Sequence, residues 1–412
     1  MSLNNLNETT VAPGIPNYFG AQRRSDQLPD SVYERVRNVM ASAQLFRYGD
    51  TSGGPSEAAL LEKEMAEYLG VKYALAVNSA SSAIFLALAA SGVVPGDKVL
   101  TSAFTFTAVP GAIMHAYAQP VLVESDRAFH LDLDDLRQRI TPETKALVLS
   151  HMRGHVSDLD TISEICQENE IFLIEDAAHS LGVGWGDQLT GTVGDAGCFS
   201  FQSNKIINAG EGGLLVSNHE EFMVKAVILS GAFEDHWKEH FIESSYFEKY
   251  ARRLPKYNFR MNNLSAAIVR SQIDLIAVKR ERYLYNHRML VKGLSENSYL
   301  EIPERLPKEQ PAPNTLQIRL KGMSEAQKIA FSNQLKAMGL KHAIFGLDPG
   351  NDRAFWNWEY LEISPDCYPQ TVDLLMNTCD VKTPYEWEKD DIDRVIKCIL
   401  VAVREQVELQ PE

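Results

Sequence analysis

A chain of 412 residues, 45% of them hydrophobic, can bury a large core and is long enough for two to three domains, or one large domain with a satellite. With 55 acidic against 40 basic residues its net charge is −15, which argues against nucleic acid or an anionic membrane as the main partner and leaves room only for a local basic pocket. Five widely spaced cysteines (Cys166, Cys198, Cys367, Cys379, Cys398) with no CxxC pair read as reduced thiols, not as a disulfide framework or a zinc site.

The opening MSLNNLNETTVAPGIPNYFG is polar and proline-bearing, without the basic and apolar regions of a signal peptide, so residues 1–40 are expected to form an arm. No apolar run reaches the roughly 18 residues of a membrane span. A cytoplasmic globular protein is expected, with no membrane and no nucleic-acid partner. From Val71 to Ser217, short apolar runs alternate with amphipathic ones. YALAV (73–77), KVLTS (98–102), PVLVE (120–124), KALVLS (145–150) and IFLIE (171–175) have the character of buried strands. SSAIFLALAASG (81–92), the stretch 107–118 and LDTISEICQEN (159–169) have that of helices. This alternation predicts an α/β fold with a mostly parallel sheet between helices.

After Asn218 the pattern changes. Residues 262–291 read as a long helical stretch of the kind that bridges two domains, and PERLPKEQPAPN (303–314) as a proline-rich connection. LQIRLKG (316–322), EAQKIAFSNQLKAMG (325–339) and DDIDRVIKCILVAVREQV (390–407) then predict a smaller C-terminal α+β domain. The expected division is an arm at 1–40, a large domain at 41–285 and a small domain at 286–412.

Three stretches carry chemistry. VNSASSAIFLAL (77–88) runs from strand to helix through small residues, which leaves N–H groups and serine hydroxyls at a helix start, a favourable phosphate site. Ordinary serine capping explains the same residues. IFLIEDAAHSLG (171–182) ends a buried strand in Glu175 and Asp176, where open α/β sheets bind ligands. FSFQSNKIINAGEGG (199–213) sets Lys205 among small and aromatic residues with no carboxylate before Glu211. A lysine kept neutral by its surroundings can attack a carbonyl. Together they supply what pyridoxal 5'-phosphate (PLP) requires: a helix start for its phosphate, an anion for its ring nitrogen and a lysine for its aldehyde.

The ordered motifs NSASSA, EDAAH and SFQSNK…GEGG resemble the DegT/DnrJ/EryC1/StrS family of fold-type I, PLP-dependent sugar aminotransferases, and PKYNFRMNNLSAAI (255–268) is similar to the family's segment that crosses to a partner subunit. The resemblance implies that Lys205 forms the Schiff base with PLP and shuttles a proton, and that Asp176 pairs with the ring nitrogen. It puts His179 near the ring hydroxyl and Ala178 on one ring face. It assigns Ser81, Ser82 and Ser200 to the phosphate, with Asn258 reaching the phosphate of a neighbouring subunit in a homodimer. Of the aromatics in AFTFTAV, Phe106 is favoured over Phe104 for stacking on the ring. His151 and Arg153 in HMRGH are candidate substrate contacts. As metal ligands the two histidines of that motif are disfavoured, because the motif follows a strand directly and contains Gly154, and no metal is expected. Arg47 and Arg260 are candidates for the donor's carboxylate, and either can equally be a structural ion-pair partner.

The activity implied is transfer of an amino group from glutamate or glutamine to a keto or aldehyde carbon, in two ping-pong half-reactions. The acceptor would be a nucleotide ketosugar, an aminocyclitol precursor or a sugar acid such as an 8-oxo-octulosonate of lipopolysaccharide biosynthesis. Relatives that act as sugar 3-dehydratases carry histidine in place of the lysine, and Lys205 argues against that branch. A PLP enzyme of natural-product biosynthesis making other bonds stays open, and a non-catalytic sensor or scaffold is the third reading.

Overall fold

The computed structural model describes residues 28–49 and 54–407; most of the expected arm, residues 1–27, lies outside the described residues. The rest of that arm is a helix, α1 (Asp30–Ser42), followed by α2 (Glu57–Leu69). The large domain then alternates β1 (Tyr73–Val77), α3 (Ala80–Ser91), β2 (Lys98–Ser102), α4 (Ala108–His115), β3 (Gln119–Val123), α5 (Leu133–Arg139), β4 (Thr144–Ser150), α6 (Leu159–Glu168) and β5 (Phe172–Asp176). Two short strands, β6 (Gly184–Trp185) and β7 (Gln188–Leu189), precede β8 (Ala196–Ser200) and β9 (Gly213–Ser217). Helices α7 (Glu220–Ser230), α8 (Tyr246–Tyr250), α9 (Asn263–Arg270) and α10 (Leu275–Leu294) follow.

Seven strands form one sheet in the order β1-β9-β8-β5-β4-β2-β3. β8, β5, β4, β2 and β3 pair in parallel, whereas β9 is antiparallel to both its neighbours because it folds back on β8 through residues 201–212. Successive residues of a strand serve opposite faces. Leu75 and Val77 of β1 join the layer with α3, α4 and α7, while Ala74 and Ala76 face α2 and α9. In β4, Ala146 and Val148 join the first layer, and Leu147 and Leu149 pack with Leu159 and Ile162 of α6. A sheet covered on both faces explains why its strands read as continuous apolar runs.

The long helical stretch expected over 262–291 is two helices, α9 and α10, separated at residues 271–274. α10 does bridge the domains. Ile276 and Tyr283 lie in the large-domain core, and Leu290 and Leu294 in the core of the small one. The expected boundary at 285/286 therefore falls within a continuous helix. Beyond it stand β10 (Leu300–Glu301), β11 (Glu309–Gln310), β12 (Thr315–Leu320), α11 (Glu325–Ala337), β13 (His342–Ile344), α12 (Pro369–Asn377), β14 (Thr378–Lys382) and α13 (Lys389–Val407). The antiparallel order β10-β12-β14-β13 makes the small-domain sheet. The proline-rich connection is pinned to the large domain, because β11 pairs with β6.

Candidate active site

At the C-terminal end of the parallel strands, a cleft of about 780 Å³ opens between the two domains. It is lined by the α3 start (Ser79, Ala80, Ser81), by Asp176, Ala178 and His179 after β5, and by Ser200 and Lys205 after β8. The cleft thus collects residues that the sequence spreads over more than a hundred positions.

The helix start leaves backbone donors free. Ser79, in extended conformation, caps α3 by accepting the Ser82 N–H at 3.1 Å. The N–H groups of Ala80 and Ser81 have no acceptor among the described residues, as the first turn of a helix dictates. The expected pair of serines is corrected here. Ser81 lines the cleft, whereas Ser82 does not: its hydroxyl donates to Asn78 Oδ1 at 2.7 Å and contacts Ser79. Gly213 packs behind this turn, where a Cβ would sit on the Ser79 backbone and 2.6 Å from the Ala80 nitrogen.

Glu175 and Asp176 are adjacent yet serve opposite sides of β5. Glu175 is fully buried and accepts the Gly191, Val193 and Gly194 N–H groups at 2.7–2.8 Å, with His151 Nε2 at 2.8 Å. Burial opposes its ionisation, but His151 and those N–H groups outweigh it and hold the carboxyl below its usual value. Asp176 accepts the Ser150 hydroxyl at 2.9 Å and the Ala178 N–H at 3.1 Å, and it faces the cleft. Thr105 in turn contacts Ser150 at 2.6 Å, so the carboxylate is held from behind.

Lys205 is half-buried, and its Nζ has no hydrogen bond or ion pair among the described residues. Burial lowers its pKa to about 7; Asp176 opposes that shift, and Arg153 and Arg353 add to it. Its loop is anchored from residues 271–274 between α9 and α10, and from α10 itself. Gln272 bonds both polar groups of the Asn208 backbone, and Lys279 donates to the Ile206 carbonyl at 2.7 Å. His179 is held well below its usual pKa by burial and then by Lys205, Arg153 and Arg353, so its ring is neutral and its Nδ1 accepts the Arg153 N–H at 3.5 Å. Phe106 is 38% exposed and lines the cleft, whereas Phe104 is buried against Phe129 and Phe345.

Three expected substrate residues lie elsewhere. Arg47 is 2% exposed and pairs with Glu62 at 2.6 Å beside His240, so it acts as a structural ion pair. Arg260 donates to the Gly231 carbonyl at 2.8 Å and lies over the Phe46 and Phe233 rings. His151 is occupied by Glu175, and His155 of the same motif by Gln317 at 2.9 Å. Arg153 does line the cleft, in a left-handed backbone conformation (φ 58°) that turns its side chain toward Asp380 at 2.9 Å. Asn258 does not line this chain's cleft; it is exposed and its side chain has no bond among the described residues. The sequence reading missed the other wall: Asn314, Thr315, Lys341, Arg353, Asp380 and Lys382. These residues are scattered over the small domain, and no spacing in the chain announces them.

A lysine, an aspartate and a helix start at the C-terminal edge of a mostly parallel sheet, faced by a small α+β domain, define the fold of the PLP-dependent sugar aminotransferases. Residues 30–400 match the DegT/DnrJ/EryC1/StrS aminotransferase family, and the chain belongs to it. It is 34% identical over 289 residues to the spore coat polysaccharide biosynthesis protein SpsC of Bacillus subtilis, across 68% of this chain and 72% of that one. To GDP-perosamine synthase of Caulobacter vibrioides it is 36% identical over 216 residues, across 52% of this chain and 56% of that one, so the chain spans little more than half of that relative. In fold it is similar to the putative sugar aminotransferase Spr1654 of Streptococcus pneumoniae in its PMP form, with a TM-score of 0.81 at 20% identity, covering 93% of this chain and 99% of that one. Helicobacter pylori PseC, an aminotransferase of pseudoaminic acid biosynthesis, matches with a TM-score of 0.79 at 19% identity, covering 92% and 98%. The chain is an aminotransferase of this family.

Proposed function

We propose that this protein is a PLP-dependent aminotransferase that takes an amino group from glutamate or glutamine and delivers it to a keto or aldehyde carbon of a sugar-like acceptor. The observation that carries the reading is Lys205, an amine near neutrality in a cleft that also holds Asp176 and the α3 start. These residues fit PLP. The unengaged N–H groups of Ala80 and Ser81, with the Ser81 and Ser200 hydroxyls, suit its phosphate; Asp176 suits a protonated ring nitrogen; Ala178 and Phe106 suit the two ring faces. His179, neutral, suits the ring hydroxyl.

When bound, PLP supplies the electron sink that makes the donor's Cα–H acidic. Lys205 Nζ would then take the Cα proton and return it on the cofactor side, and the acceptor would be aminated by the reverse sequence. Asp176, fixed by Ser150 and Ala178, would hold its negative charge against the ring without reorganising. Asn258, exposed and unengaged, would serve the phosphate of a second copy, so a cytoplasmic homodimer belongs to the same reading.

Borohydride reduction of the PLP-loaded protein, followed by peptide mass spectrometry, is expected to place the cofactor on Lys205. Nitrogen-15 from labelled glutamate or glutamine should appear on a carbonyl acceptor, and Lys205→Ala should reduce that transfer by roughly 1000-fold or more. Reduction that labels no lysine, or labels another one, overturns the assignment. PLP attachment without any nitrogen transfer would favour a non-transaminating PLP enzyme.

A further inference from the structure

The cleft of this acidic protein has a basic wall: among the described lining residues are five Lys or Arg side chains and three carboxylates. Two of the cations are arginines from different domains. Arg153 follows β4 of the large domain, and Arg353 lies in the small-domain segment between β13 and α12. Both lie over one ring, Phe345, at 5.2 and 5.6 Å from its centroid, and Arg353 also lies over Phe106 at 5.4 Å. Among the described residues, one carboxylate forms an ion pair with either of them, and it does so with Arg153. Asp380 gives Oδ2 to Arg153 at 2.9 Å and accepts the Gln317 amide on Oδ1 at 2.7 Å. The Arg353 guanidinium has no hydrogen bond or ion pair among the described residues, and its Nε is buried without a partner.

Resting on the aminotransferase reading, we infer that Arg353, with Arg153 beside it, forms a carboxylate subsite in this cleft. Of the two arginines Asp380 bonds Arg153 alone, and Asp352 acts on Arg353 only through its field, so the Arg353 guanidinium has no direct partner among the described residues, which is unfavourable for a charge taken out of water. Its planar fork matches a carboxylate through two parallel N–H···O bonds. Burial and then Arg153 lower the Arg353 pKa to about 10, against the pull of Asp380 and Asp352, so it stays charged at neutral pH while its field opposes protonation of Lys205. An incoming carboxylate would relieve that repulsion. It can come from the amino donor or from an acceptor that is itself an acid sugar.

The test uses the PLP-loaded enzyme and calorimetric titration with two matched pairs: glutarate against glutaramide, and glucuronate against glucose. Wild type should bind at least one acid more tightly than its neutral counterpart. Arg353→Met, which keeps the apolar contact with Phe106 and Phe345, should weaken that acid by roughly 10- to 150-fold, and Arg353→Lys by less. PLP should still attach to Lys205 at pH 8, and the melting temperature should not fall. A loss confined to glutarate assigns the subsite to the donor, and a loss with glucuronate assigns it to an acidic acceptor. Wild-type protein that binds neither acid better than its neutral counterpart overturns the inference without any variant, as does unchanged acid binding in Arg353→Met. Failure of wild type to attach PLP would instead sink the proposed function, and titrating the acids into the cofactor-free chain still reads the subsite.

Discussion

The surroundings of Arg47 and of Arg353 are both low in water, and they balance charge differently. Arg47 meets a buried carboxylate, Glu62, whose other oxygen accepts the Ala76 N–H at 2.8 Å, and His240 and Tyr48 close the cluster. Burial works against both charges, yet each raises the other's preference for ionisation: the Glu62 carboxyl is held below its usual value and the Arg47 guanidinium above. Arg353 has no ion pair among the described residues, and Asp380, whose charge favours its ionisation, is bonded to Arg153. A balanced buried charge ties elements of the scaffold together, here α2 to β1. An unbalanced one in a cleft marks where a ligand's charge belongs.

That contrast can be broken at either end. Arg47→Ala leaves Glu62 buried without its cation and should destabilise the fold by about 3–5 kcal/mol, read by urea denaturation. The KM for glutamate in the protein that remains folded should not change, and a KM rise without a stability loss would return Arg47 to the substrate. At the α3 start, Gly213→Ala forces a Cβ onto the Ser79 backbone. It should cost about 1–3 kcal/mol and weaken PLP retention in equilibrium dialysis. Retention as strong as in wild type would mean that the turn yields without harm.

The smallest effect concerns pH. Only the neutral amine of Lys205 can capture PLP, so capture by the cofactor-free protein should be slow below its pKa of about 7, rise through that pH and level off above it. Because Arg353 lowers that value, Arg353→Met should move the midpoint upward. Stopped-flow absorbance reads both. A wild-type rate still climbing between pH 9 and 10 would show that burial does not lower the lysine.

Much of the large-domain wall of the cleft was legible, because some of its parts follow a local rule. A strand followed by small residues and a helix makes an anion site, and a strand that ends in a carboxylate presents it at the sheet edge. Ser81, Asp176 and Lys205 meet in the cleft on those grounds, and Ala178, His179 and Ser200, which the family resemblance implied, join them. Ser82 was misjudged because one residue along a helix rotates a side chain by about 100°, enough to turn its hydroxyl onto Asn78. HMRGH looked uniform as text, but consecutive left-handed conformations at Arg153 and Gly154 send Arg153 to the cleft and leave His151 buried against Glu175.

Periodicity and turn chemistry, which depend on neighbours along the chain, determined β1 to β5, the α3 start and the setting of Lys205, whereas β8 and β9, which flank the lysine loop, were not among the expected strands. The tertiary structure alone decided which arginine is balanced. Arg47 and Glu62 stand fifteen positions apart, but Arg153 and Asp380 stand more than two hundred apart and come from different domains. Charge compensation is a property of distance in space, and the small-domain wall acquires its chemistry only when α10 folds that domain over the sheet.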